Sequence, residues 1–452
     1  MAESRRTRGR LHVRAEKSVF TRRFYLPAYE FIRIEWVGSA LLLAAAVLAL
    51  ALANSPWSEA FHHLWETYLT LDLGVLQVRE TLHHWINDGL MAVFFFVVGL
   101  EIKREVLHGK LSDPRQAALP GLVAVGGMVV PALIYWGMNP GGPAAAGWGV
   151  PMATDIAFAL GVLGLLGRRV PSELRLFLLA LAIVDDLGAI LVIAVFYTSG
   201  LDLQALGIAG VLVIGIIVMQ RAGVRAVGAY ALVAFLLWVA VLQSGVHATL
   251  AGVVLGALTP SVPRIKTEDF QEAGEALLTR MRNAVAEGRH DEVEAALGTL
   301  EELTTETEAP LERMERLCHP WSSYVVLPLF ALANAGVSLS GEAVAGAVSS
   351  PVTLGVVLGL LLGKVVGVTG GAWLVVKTGL TTLPRGVSWK HVTGAGLLAG
   401  IGFTVALFIA QLAFVDPVMV EEAKIGILTA SVVAGIGGYL LLRFGTPGSG
   451  AG

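Results

Sequence analysis

Apolar residues in this 452-residue chain fall in runs of about 15 to 27, the length that carries a helix across the hydrocarbon core of a bilayer. Read span by span, the pattern predicts helices near 36–54, 84–107, 117–138, 148–167, 172–198, 203–220, 225–243, 246–260, 320–338, 352–376, 391–413 and 421–443. The eighth is short for a span. The fold class that follows is an all-α polytopic membrane protein of about 12 transmembrane helices. Between the helices, the loop 56–83 shows a different period. Leu71, Leu73 and Val75 alternate with Asp72 and Gly74, which suggests a small β-hairpin. The segment 262–318 is charged, and its apolar residues recur at helical spacing: Phe270, Ala273, Ala276, Leu277 and Met281, then Val293, Ala296, Leu297 and Leu300. Two amphipathic helices joined near Gly288 and ended by Pro310 fit that spacing.

The chain thus divides into a basic arm (1–30), spans one to eight (31–261), the charged insert (262–318), spans nine to twelve (319–443) and a flexible tail (444–452). Composition strengthens the membrane reading. Hydrophobic residues make up 55% and charged residues only 15%, against about a quarter in soluble chains. The 53 glycines suit close packing of helices in lipid. A single cysteine, Cys318, excludes an intrachain disulfide, CxxC redox chemistry and a cysteine-rich metal site. The basic start lacks the short apolar stretch and small-residue cleavage site of a signal peptide and is read as retained.

Lys and Arg alternate from loop to loop. The arm carries eight between Arg5 and Arg23, and the even-numbered connections carry Lys110 and Arg115, Arg168 and Arg169, Arg221, Arg264 and Lys266, then Arg385 and Lys390. The third-to-fourth, fifth-to-sixth, seventh-to-eighth and ninth-to-tenth connections have none. Both termini are therefore expected on the cytoplasmic side, with the loop 56–83 outside and the arm mobile or lying on the anionic inner leaflet. Orientation in the membrane explains the arm, and no other feature points to nucleic acid.

Two spans carry helix breakers at mid-membrane. The fourth reads Trp148-Gly-Val-Pro-Met-Ala-Thr-Asp155, with Pro151 four residues before the acid; the eleventh reads Gly396-Leu-Leu-Ala-Gly-Ile-Gly-Phe-Thr404, with Gly400 and Gly402. Such residues can simply kink a helix. The two spans are seven apart, however, so they run in opposite directions. Spans three to five and ten to twelve are candidates for an inverted repeat with two crossed discontinuous helices, whose half-helix ends meet at a binding site.

Few ionisable groups lie deep in these spans: Asp155 after the break, Asp185 and Asp186 halfway along the fifth, and Lys364 halfway along the tenth. Each costs on the order of 2.5 to 3.5 kcal/mol at the bilayer centre. A purely structural pair explains one acid, but three acids face one base. Adjacent aspartates point roughly 100° apart on a helix, so one can face Lys364 and the other an ion cavity. Protons and a small hard cation then compete for the same oxygens, and a site open alternately to either side performs antiport. Asp155, Thr154 and Lys364 are candidates for neutralising the dipole ends of the half-helices.

At these residues the chain resembles the NhaA family of sodium/proton antiporters, itself an example of inverted-topology repeats. The resemblance runs from about residue 36 to 443 without the insert. It is carried by Trp85-Ile-Asn-Asp-Gly-Leu-Met-Ala-Val-Phe, Val98-Gly-Leu-Glu-Ile-Lys-Arg-Glu105, Ala153-Thr-Asp-Ile-Ala-Phe-Ala-Leu-Gly161, Leu181-Ala-Ile-Val-Asp-Asp-Leu-Gly-Ala-Ile190, Ser244-Gly-Val-His-Ala-Thr-Leu-Ala-Gly252, His319-Pro-Trp321, Phe330-Ala-Leu-Ala-Asn-Ala-Gly-Val-Ser338 and Gly400-Ile-Gly-Phe-Thr404. It implies that Asp185 and Asp186 bind and exchange sodium, lithium and protons, with no cofactor and no enzymatic step. It implies that Asp155, Thr154 and Lys364 serve the crossed helices, with Lys364 also pairing with Asp185. Electrogenic exchange, a bacterial inner-membrane location and a homodimer formed through the external hairpin are further implications. Glu101, Arg104, Glu105, Glu315 and His319 match the family's pH-sensing rim, although a solvated charged rim has the same composition. Arg316 departs from relatives with a second histidine there, and arginine does not titrate in the physiological range. His247 matches a family histidine and reads as structural.

Rival chemistries fit less well. An intramembrane aspartyl protease lacks its Gly-x-Gly-Asp, and Asp185-Asp186 is followed by Leu187-Gly188-Ala189, not by the rest of a DDxxD diphosphate motif. A cation channel lined by the same aspartates is the alternative; Lys364 in the pathway and the two breaks favour a carrier.

Overall fold

The computed structural model describes residues 35–445 apart from 73, 75, 76, 199, 225 and 226. The basic arm, Leu73, Val75 and most of the tail lie outside the described residues. The protein is an all-α polytopic membrane protein. In chain order its helices are α1 (Glu35–Ala53), α2 (Ser58–Glu66), α3 (Leu82–Leu107), α4 (Pro114–Met138), a 3-10 helix (Pro143–Met152), α5 (Ile156–Leu165), α6 (Ser172–Phe196), α7 (Leu203–Arg221), α8 (Val227–Gln243) and α9 (Thr249–Leu258). These are followed by α10 (Thr267–Ala286), α11 (His290–Thr307), α12 (Pro310–Trp321), α13 (Leu327–Asn334), α14 (Gly341–Ser349), α15 (Pro351–Lys377), α16 (Trp389–Ala399), α17 (Phe403–Ala413) and α18 (Pro417–Phe444). Among the described residues seven helical segments are long and apolar enough to cross a membrane unaided. α16 and α17 form a further span bent by 46°, and α8 and α9 are shorter apolar helices.

Large apolar side chains such as Val47, Leu133, Val195, Val211 and Ile436 point outward, which water would penalise and lipid does not. Inside, glycines set the packing. α4 and α15 lie antiparallel: a Cβ on Gly126 would come within 2.6 Å of the Gly367 carbonyl oxygen, and one on Gly363 within 2.7 Å of Pro131 Cα. Farther along the same pair, Asn139 Nδ2 donates to the Pro351 carbonyl at 2.9 Å. Short α9 is seated in the same way, with Gly252 against the Ala92 carbonyl and Gly256 against Gly99 of α3.

Outside the bundle, β1 (Tyr68–Asp72) pairs antiparallel with β2 (Gln77–Thr81), Leu71 lying opposite Val78. α2 turns 115° away from α1 and buries only Phe61. The insert contains α10 and α11, joined at Gly288, whose φ of +68° is a left-handed turn that a side chain would strain. α11 ends at Thr307, ahead of Pro310 as the spacing predicts. Pro310 also stands at the first position of α12, where its missing N–H costs nothing, and α12 continues through a π-helical turn (Ser322–Val326) into α13. Residues 310–318, assigned above to the insert, are therefore the first turns of the helix that becomes span nine. Two further π turns occur, at Trp85–Leu90 in α3 and at Gly359–Gly363 in α15, the latter ending directly before Lys364.

Candidate functional site

The fourth span is not one kinked α-helix. Its first half, Pro143–Met152, is a tighter 3-10 helix that contains Pro151. The break follows two residues later, with extended backbone at Ala153 (φ −77°, ψ 144°) and Asp155 (φ −86°, ψ 101°). Pro151 is thus not the break point; it packs on Gly359, where a Cβ would approach its ring to 2.7 Å. In the eleventh span the break falls at Gly400–Gly402, between α16 and α17. The two breaks touch: the Asp155 N–H donates to the Ile401 carbonyl at 2.6 Å, and a Cβ on Gly402 would lie 3.2 Å from the Ala153 carbonyl.

Helix ends carry unpaired donors at the N-terminus and unpaired acceptors at the C-terminus. Asp155 serves two N-termini at once. Oδ1 accepts from the Phe158 N–H at 3.1 Å in α5, while Oδ2 accepts from the Thr404 N–H at 3.1 Å and the Thr404 hydroxyl at 2.5 Å in α17. Thr154 serves a C-terminus: its hydroxyl lies 2.9 Å from the Ala399 carbonyl in the last turn of α16. Lys364 lies within α15, fully buried, and forms an ion pair with Asp185 Oδ2. That same oxygen is 2.6 Å from the Thr154 hydroxyl.

The arrangement has two chemical consequences. The Thr154 hydroxyl carries one proton and faces two acceptors, the Ala399 carbonyl and Asp185, so it can satisfy only one of them at a time. Second, Asp185 and Asp186 are 1% and 5% exposed, and the Oδ1 atom of each is buried with no hydrogen-bond partner among the described residues. Buried carboxylate oxygens normally find donors, so these two are candidates for taking up a proton or a cation.

A second cluster lies where α3 meets α12. Arg104 forms an ion pair with Glu315, and His319 Nε2 is 3.9 Å from Glu101 Oε1. Glu105 follows Glu101 by one turn on α3. Burial pushes the Glu315 carboxyl above its ordinary range, with the neighbouring Arg104 opposing the shift. Burial likewise pulls the His319 imidazole below its ordinary range, with Glu315 opposing. Arg316 is held by Glu308 through two contacts, at 3.0 and 2.6 Å. His247 lies apart from both clusters, its ring 6.2 Å from that of Phe408.

Thr404 and Ser431 were not singled out as site residues, yet both bind the broken helices. Ser431 accepts from the Phe403 N–H at 3.3 Å. For Thr404 the signal is a hydroxyl in the first turn after a glycine pair; it caps no helix end itself and donates to Asp155, which does. Ser431 has no such local sign. At the hairpin end, Asn334 Nδ2 donates to Asn87 Oδ1 at 2.8 Å, and Asn334 Oδ1 takes contacts from His83 at 3.1 Å and Gln411 at 3.3 Å. This network ties α13, α3 and α17 together.

Comparison with known proteins fits this geometry. The profile of the family described as Na+/H+ antiporter 1 matches residues 29–442. A protein named Na(+)/H(+) antiporter NhaA 2 from Syntrophotalea carbinolica is 50% identical over 419 residues, covering 92% of this chain and 96% of its own. The Na(+)/H(+) antiporter NhaA of Oleidesulfovibrio alaskensis is 50% identical over 421 residues, with 92% and 93% covered. That of Acidithiobacillus ferrooxidans is 48% identical over 422, with 92% and 97% covered. With that match spanning both broken helices, the buried acids and the insert between them, the chain belongs to the NhaA family of sodium/proton antiporters, which are transporters and not enzymes.

Proposed function

We propose that the protein expels sodium, and also lithium, from a bacterial cell in exchange for protons, by alternating access at the Asp185–Asp186 pair. The observation that carries this reading is the pair of buried, partnerless Oδ1 atoms beside a single base. In the proton-loaded state, a protonated Asp185 donates to the Thr154 oxygen, whose own proton then serves the Ala399 carbonyl. When both aspartates ionise, the Thr154 hydroxyl can turn to Asp185 and the open oxygens receive the cation. Thr154 thereby reports the charge of Asp185 to the end of α16, one of the two crossing half-helices. More protons enter than sodium ions leave, so the membrane potential drives export at about 2.3 kcal/mol per net charge per 100 mV.

The protein sits in the inner membrane with both termini and the insert cytoplasmic, as the Lys and Arg alternation supports. β1 is exposed throughout and carries Leu69 and Leu71, an open apolar edge suited to pairing with a second copy. The Arg104–Glu315 and Glu101–His319 cluster regulates the site. Glu315 takes up its proton at a higher pH than an ordinary carboxyl does, so acidification weakens its pair with Arg104 early and alkalinisation restores it. Exchange should therefore rise with pH.

The test uses everted membrane vesicles with an acid-loaded lumen and a fluorescent pH probe, with sodium added across a pH series. Wild type should collapse the gradient, while Asp185→Asn and Asp186→Asn should insert normally and lose the response. Glu315→Gln should move the acid limb of the pH profile and leave the alkaline plateau. Absence of sodium-dependent proton movement in wild type at every pH sinks the reading. Sodium flux that proceeds without proton coupling would instead indicate a channel.

A further inference from the structure

At the hairpin end of the bundle three helices meet through uncharged polar side chains. Asn334, the last residue of α13, is fully buried, and both N–H groups of its amide are in use. They donate to Asn87 Oδ1 on α3 at 2.8 Å and to the Phe330 carbonyl at 2.9 Å. Asn334 Oδ1 lies 3.1 Å from His83 Nε2 of α3 and accepts from Gln411 Nε2 of α17 at 3.3 Å, so both of its lone pairs have partners. Asn87 is itself buried and lies within the π turn Trp85–Leu90, a rare helix form that concentrates at functional sites.

These contacts stand in series with the exchange site. Thr404 holds Asp155 at the start of α17, and Gln411 lies seven residues farther on, about 10 Å along the helix axis. Between them the Phe408 ring meets Phe95 of α3 at 5.5 Å and Phe330 of α13 at 6.3 Å. The same three helices therefore touch twice, through rings near the crossing and through amides about one turn farther out. A path that follows α17 from the crossing to the hairpin side passes both layers. The outer layer suits repeated opening. Neutral amides exchange one another for water at small net cost, whereas parting a buried ion pair would strand two charges.

We propose that Asn87, Asn334 and Gln411, together with His83, form a latch that closes the exchange site to the hairpin side. The latch ties the outer end of the broken eleventh span to α3 and α13, and it parts when α17 moves to open the site outward. Asn334 is its hub, because it alone contacts the other three side chains. The inference rests on alternating access at Asp185 and Asp186, and it assigns a positioning role to four residues that the exchange reading leaves unused.

The test uses the full-length protein in right-side-out membrane vesicles, with Cys318→Ser to remove the native thiol and Met91→Cys as reporter. Met91 is fully buried on α3, four residues inward of Asn87. A charged, membrane-impermeant methanethiosulfonate is added outside. With the latch intact the reporter should resist labelling. Asn334→Leu, which keeps the volume and removes the amide, should raise the labelling rate about tenfold or more. Gln411→Leu, which removes one donor from the less buried edge, should raise it about threefold. A second reporter, Val352→Cys, buried in the first turn of α15, should stay protected in both variants. In everted vesicles Asn334→Leu should also raise the sodium concentration for half-maximal exchange, because the outward-open state withdraws protein from the side where sodium is added. Fast labelling of Met91→Cys with the latch intact overturns the proposal, and so does an unchanged rate in both variants. An equal rise at Met91→Cys and Val352→Cys means general loosening of the fold and overturns it as well. Absence of sodium-dependent proton movement in wild type strikes the exchange reading instead, since labelling needs no transport.

Discussion

The fourth and eleventh spans are broken at the same level and touch at the break, but they contribute different chemistry. The fourth opens into extended backbone and brings side chains to the crossing: Thr154 and the doubly capping Asp155. The eleventh bends by only 46°, keeps near-helical backbone at Gly400 and Gly402, and brings mainly main-chain groups: the carbonyls of Ala399 and Ile401 and the N–H of Thr404. One half of the pair holds the charge and the other holds the dipoles. A carboxylate can satisfy two helix N-termini that would otherwise face each other, which explains why a single acid at the crossing suffices.

The strongest way to break this division is to remove the charge. Asp155→Ala leaves the Phe158 and Thr404 N–H groups and the Thr404 hydroxyl buried without an acceptor. The expected loss is about 3 kcal/mol or more of stability, read as a clear fall in Tm of the purified protein, together with loss of exchange. Unchanged Tm would mean that the half-helix ends need no carboxylate.

A smaller effect tests the main-chain side. A Cβ at Gly400 would meet the Leu360 carbonyl oxygen at 2.5 Å, and backbone on both sides leaves little room to yield. Gly400→Ala should cost roughly 1–3 kcal/mol and slow turnover. Gly437→Ala, where the nearest side chain is 4.0 Å away, is the control and should change neither. If both variants behave alike, close approach at the break has no special importance.

The smallest change sharpens the comparison. Thr404→Val removes one hydroxyl from Asp155 and leaves the N–H in place. The expected cost is about 1–1.5 kcal/mol, with a rise in the sodium concentration needed for half-maximal exchange and insertion unchanged. An effect as large as that of Asp155→Ala would assign the anchoring to the hydroxyl and not to the dipole.

How much of this was legible beforehand differs from element to element. The long spans and the buried Asp155, Asp185, Asp186 and Lys364 show in the one-dimensional pattern, because a bilayer demands long apolar runs and makes each interruption costly. The 3-10 character of Pro143–Met152 did not show. Proline announces a disturbance, but where the chain becomes extended depends on what the freed groups find, and here they find Ile401. Pro310 follows the stop of α11 at Thr307 and is also the start of α12, because the same missing N–H suits the first helical position as well as it ends a helix.

Sequence alone determined the class of this protein, its helical spans, the positions of its breakers and the surplus of buried acid over base, all of which follow from local composition and the energetics of lipid. The tertiary structure alone decided the partners. Thr404 reaches Asp155 across 249 residues, Lys364 and Thr154 converge on one oxygen of Asp185, and one oxygen on each aspartate is left open. Those contacts depend on how antiparallel helices with glycine seams settle against one another. No local period encodes that settling, since it is fixed by close packing between segments far apart in the chain.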